Sequence, residues 1–346
     1  MASVRSDWED LAQAAGSVLL DVDYVLAFLE AFGPGSVCVF VLERQGRVRA
    51  IAPLRVARRG GVNWLEFFDA PTQEVHAGFL HETADDAFAL CEHLVRHGMP
   101  IKLVRIPRVS PVVEAFSRLR ARRTCVCRTS HGAPTAEVRF PDGGPDKLTS
   151  ADGAKKLRYL LRKAGEIGDV SFAFNTPGEG EAGVLFDQFV DVEAAGWKGQ
   201  QRTSLSHDPV QRAFFRQVAG KAAARGQLMI GIMSIAGRPA AARLCSARYG
   251  ALWDHKIGYD EQFAAISPGI LLTAETLRWS AARGFDRHVF LGNHEKWQDR
   301  WRPDVHETVT LTIYPRAVAG MIGLLADAFS AGLRRAAAKR APATTS

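Results

Sequence analysis

The stretch Trp253–Leu277 restricts this chain to folds in which a strand hands over to a helix through a short loop. Its first part, Trp253 to Tyr259, is short and rich in aromatic and apolar residues, the mark of a strand. Asp260 and Glu261 follow, and then Ser267-Pro268 announces a helix. Serine suits the N-cap, and proline suits the first helical position, where its missing N–H costs nothing. Gly269 lets other groups approach the backbone of that first turn, and no carboxylate occurs in the helix before Glu275. Free N–H groups and the helix dipole make such a start attractive to anions. The same pattern also describes an ordinary strand–loop–helix crossover, so the motif alone leaves both readings open.

A chain of 346 residues holds two domains or one large one. With 47% hydrophobic and 23% charged residues it has the composition of a soluble globular protein. The net charge of +7 favours anionic partners: a nucleotide cofactor, nucleic acid or a membrane surface. Five cysteines, an odd number, do not form a disulfide framework. Cys125-Val126-Cys127 is too tight for a tetrahedral metal pair without further ligands, and no Cys/His pair follows. A reduced cytoplasmic protein without a metal is expected. Asp7, Glu9 and Asp10 stand where a secretory signal would be apolar, and no stretch has the apolar length of a membrane span.

In chain order, residues 5–14 and 23–31 read as helices, and 37–42 with 47–56 as a hairpin through Gln45-Gly46. Residues 228–235 and 240–245 repeat that hairpin through Ala236-Gly237. Aligning Gly46-Arg47 with Gly237-Arg238 puts Leu42 at the position of Met233 and Ala50 at that of Ala241. This weak self-similarity suggests two related halves. Between them lie a strand at 63–68, a helix at 84–97, a strand at 101–106 and a helix at 112–122. Strands at 124–128 and 135–140 close the first half, and the turn cluster Pro141–Pro145 marks the boundary. The second half opens on a helix at 154–167 whose polar face carries Lys155, Lys156, Arg158, Arg162 and Lys163. That face is either solvated or laid on phosphates. A strand at 170–174, helices at 183–195 and 209–225, a strand at 287–291 and a closing strand at 307–314 follow. Residues 316–339 form a terminal amphipathic helix, basic at its end, that packs on the body or meets a membrane surface. A frayed tail begins at Ala341.

Three blocks carry a resemblance: Gly196-Trp197-Lys198-Gly199, Lys256-Ile257-Gly258-Tyr259-Asp260-Glu261, and Ser267-Pro268-Gly269-Ile270-Leu271-Leu272. In order and spacing they resemble the GNAT-type acetyltransferase domain of the CelD-like proteins, relatives of FemAB, across the second half of the chain. The resemblance implies an α/β (α+β) fold of tandem GNAT-like domains, each a mixed twisted sheet flanked by helices, with the first degenerate. The domains would span 1–140 and 151–315, joined by a linker at 141–150 and followed by the terminal helix and tail at 316–346. The closing block departs from the pattern: Trp297-Gln298-Asp299-Arg300-Trp301 stands where relatives often carry Tyr-Lys-x-x-Trp, and Val289–Gly292 lacks their acidic residue.

By resemblance the chain moves an acyl group from acetyl- or longer acyl-coenzyme A to an amine acceptor from cell-envelope or polysaccharide synthesis. Backbone N–H groups at the strand end, with Ile257 and Gly258, would hold the thioester carbonyl. The turn at Ser267, Gly269, Ile270 and Leu271 would take the pyrophosphate. Asp260 and Glu261 are candidate bases, with turn capping as the alternative for Asp260 and solvation for Glu261. Tyr259 is a candidate donor to the leaving thiolate or a core tyrosine. Trp197, Lys198, Trp253, Lys256, Asn293 and His294 are candidates for acceptor or cofactor contact, with packing or surface roles as alternatives. His255 reads first as a satisfied strand histidine. Two other functions stay open: an aminoacyl-tRNA-dependent ligase, although 260–286 leaves no space for a long helical arm, and a non-catalytic scaffold of an envelope-synthesis complex. The sequence does not fix the oligomeric state.

Overall fold

The computed structural model describes residues 2–35, 37–68, 78–140 and 148–340, so the Pro141–Pro145 turn cluster and the tail from Ala341 lie outside the described residues. Helices α1 (Ala2–Ala15) and α2 (Val22–Phe32) come first, the second capped by Asp21, whose carboxylate accepts from Asp23 N–H. Strands β1 (Cys38–Arg44) and β2 (Arg47–Arg59) follow, joined by Gln45-Gly46 with φ of 54° and 74°. Both residues are left-handed, as a two-residue hairpin turn requires. Next come β3 (Val62–Phe67), the short β4 (Leu80–His81) and α3 (Ala84–His97), which Thr83 caps and left-handed Gly98 ends. After β5 (Ile101–Pro107), α4 (Pro111–Ala121) starts on Ser110 with proline in its first turn. Strands β6 (Cys125–His131) and β7 (Thr135–Arg139) complete this stretch.

The remaining elements begin with α5 (Ala151–Ile167), β8 (Val170–Asn175), α6 (Glu179–Ala194), the short α7 (Trp197–Gln200) and α8 (Pro209–Ala224). An antiparallel run follows: β9 (Leu228–Ile235), β10 (Arg238–Arg248) and β11 (Ala251–Tyr259). Then come α9 (Pro268–Ala282), β12 (Arg287–Phe290), β13 (Asp304–His306), β14 (Thr308–Pro315) and α10 (Val318–Arg340).

The strands form two mixed sheets of matching order. The first runs β1-β2-β3-β5-β14-β6, with β4 beside β2; the second runs β13-β7-β12-β11-β10-β9-β8. In each, an antiparallel run meets a parallel neighbour: β3 beside β5, and β11 beside β12. The two hairpins also pair at equivalent positions, Leu42 with Ala50 and Met233 with Ala241, as the aligned sequences suggest. This is the tandem arrangement expected from the resemblance.

Strand membership corrects one expectation. Thr135–Phe140 does not close the first sheet, and Glu307–Tyr314 does not close the second. Instead β7 pairs with β12 and β13 in the second sheet, while β14 pairs with β5 and β6 in the first. Each sheet takes an inner strand from the other half of the chain, β14 between β5 and β6 and β7 between β12 and β13. Alternation marks a strand's buried face but not the sheet to which it belongs.

Three main cores result. One lies between the second sheet and α2, α6 and α8, built from Phe28, Phe186, Phe189, Phe214 and Phe215. Another joins the first sheet to α3 and α4, and the third joins the second sheet to α5 and α9.

Candidate functional site

The cleft begins at a β-bulge. Leu244 pairs with Lys256 and the next residue, Cys245, with Asp254, so His255 is the extra residue on β11. A bulge bends its strand and ends regular pairing nearby. Here β11 and β12 pair only from Ala251 with Arg287 to Asp254 with Phe290. Past that point β11 keeps β10 alone, and a cavity of about 490 Å³ opens between it, the start of α9, α7 and the Gly292-Asn293 loop. The bulge also shifts the alternation by one, and Asp254, His255 and Lys256 all line the cleft.

Glycines bring α7 onto the strand end. A Cβ at Gly258 would lie 2.6 Å from Glu193 Cα, and one at Gly196 would lie 2.4 Å from the Tyr259 carbonyl oxygen. At Gly199 it would lie 1.9 Å from the Ala194 carbonyl oxygen. These are backbone contacts that no larger residue tolerates. The close approach lets Lys198 Nζ donate to the Ile257 carbonyl at 2.9 Å and to Glu193 Oε1 at 3.0 Å. Glu193, 2% exposed, accepts Leu205 N–H with its other oxygen at 2.9 Å. Lys198 therefore clamps α7 to the free end of β11. Trp197 stands exposed on the rim.

At the start of α9, Ser267 is left-handed (φ 50°, ψ 60°) and its hydroxyl makes no cap. Its carbonyl accepts instead from Ile270 N–H at 3.0 Å and Leu271 N–H at 3.3 Å. Within the turn expected to take the pyrophosphate, the Ile270 and Leu271 amides are thus already engaged by the N-cap carbonyl, as in other helix starts, which leaves Gly269 N–H. The turn still carries no acid. Gly269 faces Ile257 and Tyr259: its Cβ would meet their side chains at 3.7 and 3.8 Å, ordinary contact distances. The Leu271 side chain lies in the core.

A buried polar cluster under the cleft is absent from the sequence reading. Arg243 is fully buried, with Nη1 3.1 Å from Asp254 Oδ2 and 3.2 Å from His288 Nε2. Its other terminal nitrogen donates to Thr273 on α9, whose hydroxyl donates on to the Gly269 carbonyl at 2.7 Å. His288 Nε2 also lies 3.7 Å from Asp254 Oδ2, while its Nδ1 is buried and makes no hydrogen bond among the described residues. Burial works to raise the Asp254 pKa, but Arg243 and His288 outweigh it and hold the carboxyl below its ordinary value. Burial lowers that of His288. The available signal was an arginine inside the apolar strand Ala240–Cys245, since a charge there needs a buried partner.

The other expected residues divide. Lys256, Ile257, Gly258, Tyr259, Ser267, Gly269, Ile270 and Asn293 line the cleft with Trp197 and Lys198; so do Glu193, Asp254 and Glu295. Asp260 lies outside it and caps the next turn, accepting Gln262 N–H at 2.9 Å. Glu261 also lies outside, although its charge and a hydrogen bond add to the burial that raises the Tyr259 pKa. Trp253 is turned into the core, donating to the Arg248 carbonyl at 3.0 Å. His255 lines the cleft but bonds Ser246 Oγ at 2.9 Å, with Tyr24 stacked beside it. His294 bonds Asp299 at 2.8 Å. Gln298, in place of the relatives' lysine, accepts Glu295 N–H at 2.9 Å. Among the described residues no group of three or more His, Cys, Asp or Glu side chains could hold a metal.

Residues 151–299 match the family described as acetyltransferase (GNAT) domain. No curated protein matches the chain. Among solved structures, FemX is similar over 90% of this chain and 96% of its own, with a TM-score of 0.63 at 10% identity. L-PGS from Bacillus licheniformis is similar over 89% and 96%, with a TM-score of 0.53 at 12% identity. These likenesses are of fold.

Proposed function

We propose that the chain is an N-acyltransferase that moves an acyl group from a coenzyme A thioester to an amine. The observation that carries this reading is the divergence of β11 from β12 onto the acid-free start of α9. The thioester would lie along the free edge of β11, its carbonyl oxygen turned to backbone N–H groups there. The pyrophosphate would approach Gly269 N–H and the positive end of α9. The amine nitrogen attacks the carbonyl carbon, the carbon–sulfur bond breaks, and the thiolate takes up a proton. Tyr259 suits that donation, because its raised pKa keeps the phenol protonated. The amine must shed a proton to water, and Asp254 on the cleft wall, held ionised by Arg243, would orient that water while its lowered pKa makes it a weak base. Asp260 and Glu261 remain weaker candidates, since both stand outside the cleft. The GNAT match over 151–299 supports transfer chemistry, and the three motif blocks support an envelope or polysaccharide precursor, as in CelD-like proteins, as acceptor.

Calorimetry with acetyl- and longer acyl-coenzyme A tests the reading. The wild type should bind at least one thioester, and Gly269→Glu should weaken binding at least tenfold, about 1.4 kcal/mol. A Cβ at Gly269 makes only ordinary contacts, so the loss would come from the added charge rather than from backbone strain. A wild type that binds no thioester would refute the proposal.

A second reading, an aminoacyl-tRNA donor, draws on the exposed basic face of α5, where Lys155, Lys156 and Arg158 stand in solvent. The transfer chemistry is the same with an ester in place of the thioester. Salt-sensitive retention of aminoacyl-tRNA, with no thioester binding, would favour it.

A further inference from the structure

Helix α10 reverses the usual order of an amphipathic helix. Its small residues face the body: a Cβ at Gly320 would lie 2.1 Å from the Pro315 carbonyl oxygen, and one at Gly323 would lie 3.0 Å from the Pro100 ring. Asp327 fixes the same side by accepting from the Tyr314 hydroxyl at 2.6 Å. Leu324 packs with Trp64 and Tyr314 on that side, whereas the other large apolar residues up to Phe329 point away. Val318, Leu325 and Phe329 are 79%, 66% and 70% exposed, and Met321 and Ile322 lie exposed between them at helical spacing. A contiguous apolar stripe of this kind marks a contact surface rather than a solvated one.

The charge around the stripe is predominantly positive. The sheet face on which α10 sits also carries Arg55, Arg59, Lys102 and Arg128. Register shows this: Arg55 pairs with Glu66, Arg59 with Val62, Lys102 with Glu66 and Thr312, and Arg128 with Thr312. Arg128 also lies over the Tyr314 ring. Glu66 answers Arg55 and Arg59 by ion pairs, and Asp327 is engaged with Tyr314. Beyond Phe329 the helix runs on to Arg340, and 331–340 contains Arg334, Arg335, Lys339 and Arg340 with no acid.

We propose that α10 docks the protein on an anionic lipid surface, its apolar stripe entering the headgroup boundary and the surrounding cations meeting lipid phosphates. Interfacial helices bind by this combination of buried apolar area and attraction to anionic lipid. A second copy fits less well, because a symmetric pair would bring these cations against one another. The proposal does not depend on the chemistry of the cleft.

Flotation of the full chain with phosphatidylcholine vesicles, with and without roughly one quarter phosphatidylglycerol, tests it. The wild type should float with the anionic vesicles and detach as salt rises. Leu325→Asp with Phe329→Asp should weaken flotation about tenfold or more at an unchanged melting temperature. Should that variant fold poorly, Lys102→Gln with Arg128→Gln should reduce the anionic preference instead. Wild type that ignores anionic vesicles would overturn the proposal. So would an aspartate variant that floats as well as the wild type, or a wild-type dimer in ultracentrifugation that the variant dissolves while neither floats.

Discussion

At Asp254, burial and charge pull in opposite directions, and Arg243 decides the balance. Asp254→Asn would leave the Arg243 guanidinium buried without its counter-charge, at a cost of about 3–5 kcal/mol in urea unfolding. The Asp254 contribution is present above the ordinary carboxylate value of 3.8 and is lost as the pH falls through the lowered folded value. His288 acts at a higher pH. Its folded pKa lies below the ordinary 6.5, so the unfolded chain takes up the proton first and stability declines as the pH drops below 6.5. The melting temperature should fall on mild acidification, and His288→Gln should flatten that part of the curve. An identical slope in both proteins would remove His288 from the account.

Among elements, α7 is held by contact with no slack. Gly258→Ala places a methyl group against the Glu193 backbone, so α6 or the strand end must move. Overpacking of this kind costs about 1–3 kcal/mol. It should also pull Lys198 from the Ile257 carbonyl, and thioester binding in calorimetry should weaken together with the melting temperature. Gly165 in α5 supplies the contrast. A Cβ there meets nothing, so Gly165→Ala should stabilise the helix by about 0.5–1 kcal/mol and leave binding unchanged.

On the scale of the whole molecule, exchange of β7 and β14 ties the two sheets together. A fragment of residues 151–315 lacks β7, which lies between β12 and β13, and carries β14 without its partners β5 and β6. Circular dichroism and proton-shift dispersion should show that fragment poorly folded. Supplying residues 132–140 as a separate peptide should restore part of the order, because it completes the second sheet. A cooperative melt of 151–315 alone would contradict this view of the exchange.

The sequence itself determined the local elements. Proline after Ser267, the left-handed turns at Gln45-Gly46 and Ala236-Gly237, and the alternation of the strands act over a few residues, so they were legible without coordinates. The motif residues Lys198, Tyr259 and Gly269 were legible for the same reason. Tertiary structure decided the rest. Pairing across more than a hundred residues placed β7 and β14, and neither strand's pattern names its sheet. The bulge at His255 arises from a mismatch between two strands, which changed which side chains face the cleft and left Trp253 in the core. Arg243, Asp254 and His288 meet only when β10, β11 and β12 lie side by side, and that meeting sets the charge beneath the cleft.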